Sequence, residues 1–91
     1  MKTDKELMQM ALETWGQQSQ LDMVIEECAE LIDVIQKWRR RRVDAVKVLE
    51  EAVDVELCLN QLKLMLDAPV LFESIKKEKL ERLEKLLSQG V

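Results

Sequence analysis

An all-α fold, a chain of four helices, is what this sequence predicts, and three observations predict it. Leu, Glu, Lys and Val are abundant while aromatics reach only 3%, with two Gly, one Pro and no Tyr. That composition suits helices far better than a sheet with its many turns. Apolar residues recur at helical spacing through four successive segments, and cap residues stand at fixed offsets before several of them. At 91 residues the whole chain, 1–91, reads as a single domain with a modest core; 47% apolar and 35% charged residues exclude a disordered chain. No repeat, low-complexity stretch or linker divides it.

The first segment opens at Thr3 with Glu6 three residues on, a capping-box pattern in which each side chain accepts from the other residue's backbone N–H. Leu7, Met8, Met10, Ala11 and Leu12 carry the helix to an end near Trp15–Gly16. The second is expected to start after Ser19, whose hydroxyl can cap the next turn. Its stripe of Leu21, Val24, Ile25, Cys28, Leu31, Ile32 and Ile35 faces the core. It ends among Arg39, Arg40, Arg41 and Arg42, whose charge suits a helix C-terminus. The third runs from Val43 or Asp44 to about Leu66. The fourth follows Asp67–Ala68–Pro69, with Asp67 as its cap and Pro69 in its first turn. Leu71, Phe72, Ile75, Leu80, Leu83, Leu86 and Leu87 give it one apolar face, and Gly90 lies just past its end.

No Gly or Pro marks the boundary between the second and third helices, so geometry has to argue for it. Were residues 20 to 66 one straight helix, Glu27 and Glu51 would stand about 36 Å apart along its axis. A turn near Arg40–Val43 instead folds the two helices antiparallel and lets their acidic residues meet. The turn is the expectation.

Net charge is −4 and there is no histidine. An acidic chain argues against direct nucleic-acid binding, with the arginine run a local exception that reads as a solvated helix end. Two cysteines without histidine cannot build an ordinary zinc site within one subunit, so Cys28 and Cys58 read as reduced core thiols. With no apolar run near 18 residues and no signal pattern, the expectation is a soluble cytoplasmic protein that does not engage a membrane.

The acidic residues carry the chemical signal. The second helix offers Glu27 and Glu30, and the third Glu51 and Asp54; residues three apart lie on one face of a helix. Their ridges run Met23, Glu27, Glu30, Val34 and Lys47, Glu51, Asp54, Cys58, apolar at three of the four ends. Glu26 and Asp33, with Lys37, fall on the other side of the second helix, as on a solvated face. Either pair alone is common in a chain with 18 acidic residues; two pairs on consecutive half-apolar ridges are not. Four carboxylates drawn together resist ionisation unless cations join them. Without histidine a di-iron bundle is disfavoured, and all-oxygen ligation points to Mg²⁺, with Mn²⁺ as a substitute.

The motifs "EECAEL" (Glu26 to Leu31) and, about twenty residues on, "EEAVDV" (Glu50 to Val55) resemble those of the MazG-like nucleotide pyrophosphohydrolases, within the all-α NTP pyrophosphatase superfamily. "WGQQSQL" before the first motif and "KLERL" (Lys79 to Leu83) in the last helix extend the resemblance over about Trp15 to Leu83. The resemblance implies Mg²⁺-dependent hydrolysis of a nucleoside triphosphate to the monophosphate and pyrophosphate. It makes Glu27, Glu30, Glu51 and Asp54 the metal ligands and catalytic carboxylates. Lys79 and Arg82 match the basic positions of the family's last helix and could hold phosphate oxygens; a solvated face beside Lys76, Lys77 and Lys85 is the alternative. Gln20 and Trp15 stand where a base or sugar contact is plausible; Trp15 reads more readily as a core or interface anchor, while for Gln20 the structural and binding readings are even. Trp38 reads as packing. A related phosphoribosyl-ATP pyrophosphohydrolase would share the chemistry, and a non-catalytic helical oligomerisation module would share the fold.

The third helix adds a separate inference. Its apolar residues, among them Val46, Leu49, Val53, Leu57, Leu59 and Leu66, spread around nearly its whole circumference. Three neighbours in so small a chain struggle to cover it, so a homo-oligomeric helical bundle is expected. The resemblance likewise implies a homodimer or tetramer.

Overall fold

The computed structural model describes residues 1–90. Four helices account for nearly all of them: α1 (Asp4–Trp15), α2 (Gln17–Arg39), α3 (Ala45–Leu66) and α4 (Pro69–Ser88). No strand occurs among the described residues, so the all-α expectation holds. No described helix is long and apolar enough to cross a membrane.

The Thr3 capping box forms: the Thr3 hydroxyl accepts from the Glu6 N–H at 3.1 Å, and Glu6 accepts in return from the Thr3 N–H. The start of α2 differs from expectation. Gly16, at φ 85°, closes α1 by donating to the Leu12 carbonyl and also stands as the N-cap of α2, so Ser19 lies inside the helix and caps nothing. One glycine with left-handed freedom replaces both a terminator and a linker.

The turn between α2 and α3 falls where it was expected, on an unexpected residue. Arg41 takes φ 58°, Arg41 donates to the Trp38 carbonyl and Arg42 to the Lys37 carbonyl, both at 2.9 Å. This is the Schellman pattern, normally built on glycine; an arginine there costs about 1–2 kcal/mol. Asp44 then caps α3, one of its carboxylate oxygens accepting from Val46 at 3.1 Å and Lys47 at 3.4 Å. Asp67, expected to cap α4, instead ends α3 in the left-handed region (φ 46°, ψ 51°), and Ala68 precedes Pro69 without a side-chain cap. The two helices follow so closely that the aspartate serves the earlier one.

α2 and α3 make the most extensive contact in the chain, α1 lies against both, and α4 makes little contact with any of them. One tie between α3 and α4 is the Lys63 ammonium, 4.3 Å from the centre of the Phe72 ring. Among the described residues no hydrophobic side chain is fully buried, and Gln61 alone is. The radius of gyration, 16.4 Å, exceeds the about 12 Å of a compact chain this long.

Candidate metal centre

α2 and α3 bring their acidic ridges together. Glu27, Glu51 and Asp54 each offer a carboxylate oxygen, and these oxygens all lie within 4.8 Å of one another. Glu27 and Glu51 are half-buried and Asp54 is exposed. Glu27 Oε2 and Glu51 Oε2 are buried with no hydrogen-bond partner, an arrangement that ordinarily costs stability in proportion to the desolvation of the oxygen. Glu30 is exposed and stands outside this close group, yet its charge acts on both Glu27 and Glu51.

The electrostatics follow from that crowding. The Glu27 carboxyl is pushed up to about 7, by burial first and then by the charges of Glu30 and Asp54. Glu51 is raised as well, by burial and then by Glu30. Burial pushes the Cys58 thiol up, helped by Glu27 and Asp54, which places it beside the cluster as a neutral thiol. Cys28 and Cys58 are free and half-buried. Away from the cluster, Lys37 pairs with Asp33 at 2.8 Å on an exposed face, as the sequence pattern anticipated.

A pH dependence results. The Glu27 carboxyl, ordinarily 4.5, holds its proton to about 7 in the folded chain. Through that window the unfolded chain has lost a proton that the folded chain keeps, so stability falls as pH rises. With chelator present, the melting temperature should decline across this window, and the decline should be shallower in Glu27→Gln. Superimposable slopes for the two proteins would refute the crowded-carboxylate picture.

Carboxylate oxygens that are gathered, partly dehydrated and unpartnered fit a hard divalent cation, which supplies the positive charge and the lone-pair acceptor that the protein lacks there. The other predicted residues divide. Lys79 and Arg82 are exposed on α4 and form no ion pair among the described residues. α4, which carries them, makes little contact with the other helices, and neither residue forms an ion pair with a carboxylate of the cluster. Gln20, half-buried, and Trp15, 65% exposed, line one cavity of about 450 Å³ together with Gln61. Trp38 is 48% exposed rather than packed away.

Gln61 is the residue that sequence reasoning passed over. Extending the acidic ridge of α3 by one more turn, from Glu51, Asp54 and Cys58, arrives at it. Compared with protein-family models, curated proteins and solved structures, the chain matches none.

Proposed function

We propose that this chain is a Mg²⁺-dependent nucleotide pyrophosphohydrolase, cleaving an NTP or dNTP to the nucleoside monophosphate and pyrophosphate. The observation that carries the reading is the meeting of Glu27, Glu51 and Asp54 with their unpartnered buried oxygens. It agrees with the motif resemblance to the MazG-like family.

On this reading α2 and α3 run antiparallel, and Glu27, Glu30, Glu51 and Asp54 hold the cation. Bound there, Mg²⁺ supplies charge neutralisation of the triphosphate and lowers the pKa of a coordinated water. One carboxylate of this ligand shell takes the attacking water's proton. Lys79 and Arg82 hold phosphate oxygens and steady the leaving pyrophosphate. Gln20 and Trp15 contact the base or sugar.

The basic residues must come from an assembly, because α4 makes little contact within its own chain. The accessible surface is 7694 Å², against about 5,500 Å² for a compact monomer of 10.7 kDa. Leu71, Leu80, Leu83 and Leu87 on α4 and Leu49, Val53 and Leu66 on α3 are all more than half exposed. The surplus exceeds the about 800 Å² that each partner buries in an ordinary stable complex. A homodimer or tetramer, with α3 and α4 faces joined between copies, accounts for it.

The test is pyrophosphate release across a panel of canonical and modified NTPs and dNTPs, with Mg²⁺ or Mn²⁺. Release from at least one is expected; none from the whole panel rejects the activity for those substrates. Thermal melts provide a second check. Cation at about ten times its Kd adds roughly 1.4 kcal/mol, or about 5–10 °C in a domain this small. The unburied apolar surface also favours a second reading, a non-catalytic helical oligomerisation module. That reading gains if neither cation shifts the melt of the wild type or of its amide variants.

A further inference from the structure

Gln61 is 2% exposed, and neither its amide nitrogen nor its amide oxygen has a hydrogen-bond partner. A buried primary amide can donate twice and accept twice, and leaving it wholly unpaired is costly. It lines the cavity of about 450 Å³ between α1 and α3, whose walls include Leu7, Met10, Trp15 and Leu57. That volume lies in the range of small-ligand sites, which are mostly apolar with a few fixed polar groups. Here the polar group is an amide, flanked by Gln20 and by an indole.

Position relative to the carboxylates limits what could sit there. Glu51, Asp54, Cys58 and Gln61 step by three and four along one face of α3. Asp54 and Gln61 are therefore separated by about 10 Å of helix rise. Cys58 spans the gap, lining the cavity on one side and feeling the charges of Glu27 and Asp54 on the other. On the pyrophosphohydrolase reading, a nucleotide suits both ends, with its phosphates and their cation at the carboxylates, its base toward Gln61 and its sugar in between.

We infer that Gln61 is the base-reading residue of this site. Its amide, closed off from solvent in the free chain, opens on binding to pair with a donor and an adjacent acceptor on the nucleobase edge, while the base lies among Trp15, Met10 and Leu57. The inference rests on the pyrophosphohydrolase reading and extends it from reaction type to specificity. A planar amide facing a base edge discriminates by about 1–3 kcal/mol per bidentate pair, or roughly 5- to 150-fold in kcat/KM. Apolar walls alone rank bases weakly, because every base has a stacking face.

The experiment measures kcat/KM for pyrophosphate release by the full-length protein with Mg²⁺. Substrates are triphosphates with different bases, and triphosphates whose preferred base is N-methylated on its hydrogen-bonding edge. The wild type should rank the bases by at least about tenfold, and edge methylation should cost a similar factor. Gln61→Leu and the closer-shaped Gln61→Met should bring the ranking to within about threefold while the cation-induced thermal shift persists. A wild type that ranks no base, or tolerates edge methylation, overturns the inference even if neither variant folds. So does a folded variant that keeps the wild-type ranking. Absence of pyrophosphate release from every substrate overturns the hydrolase reading itself, and thus differs from failure of the base assignment alone.

Discussion

Glu51→Gln and Asp54→Asn should each lower pyrophosphate release by more than about 100-fold, since removing even a group that only orients a metal ligand typically costs 10- to 100-fold. The two substitutions keep the shape of the side chain and remove one negative charge and one strong oxygen ligand. They should not harm the metal-free fold. Glu27 and Glu51 each carry a buried oxygen without a partner, and burial first, then the neighbouring charges, raises both carboxyls. Taking away one charge relieves that repulsion, so in chelator the amide variants should melt at or above the wild-type temperature. In Mg²⁺ the order should reverse, because only the wild type gains the binding free energy. Measuring activity and melting side by side separates a lost ligand from a lost fold. An amide variant of Glu51 that retains full activity would reject this ligand set.

Replacing Leu83 by Asp should dissociate the proposed assembly and lower the melting temperature by more than about 10 °C. Leu83 is 51% exposed on the apolar face of α4, beside Leu80, Leu86 and Leu87. Covering a leucine contributes about 1.5–3 kcal/mol, and a carboxylate forced into the same place costs more than the leucine gave. In a symmetric assembly the loss recurs in every copy. If the wild type associates as proposed, its melting temperature should rise with protein concentration, because folding is then linked to association. Sedimentation across a hundredfold range of concentration would show the change of mass directly. A wild type that sediments as a 10.7 kDa monomer throughout, with a constant melting temperature, contradicts the assembly.

Much of the fold was legible because helices are specified locally. Thr3 with Glu6, Asp44 before Val46, and Pro69 after Ala68 announce helix starts through backbone N–H groups only two or three residues away. The readings that failed involve residues that can serve either of two adjoining helices. Ser19 and Asp67 are good caps on composition, but Gly16 had already opened α2 and Asp67 was taken by the end of α3. The arginine run announced the end of α2 through its charge, but not that Arg41 would take the left-handed backbone, which its side chain does not favour.

The site divides in the same way. The ridges of Glu27 with Glu30 and of Glu51 with Asp54 follow from helical periodicity, and so does the separation of Asp33 and Lys37 onto a solvated face. Helical spacing says nothing about which oxygens approach most closely. Glu27, Glu51 and Asp54 converge while Glu30 stands aside, a matter of how α2 and α3 lie on each other. Lys79 and Arg82 show the limit most plainly: sequence order puts them in the chain, and only packing decides whether they reach a phosphate.

By itself, then, the sequence determined four amphipathic helices and the faces on which their acidic and apolar residues stand, because those depend on 3.6-residue periodicity and nearby caps. The tertiary structure decided three further things: the meeting of Glu27 with Glu51 and Asp54, the enclosure of Gln61 without partners, and the apolar face left open on α4. These depend on contacts between residues distant in sequence, where helix-on-helix packing selects one face from several that the sequence allows.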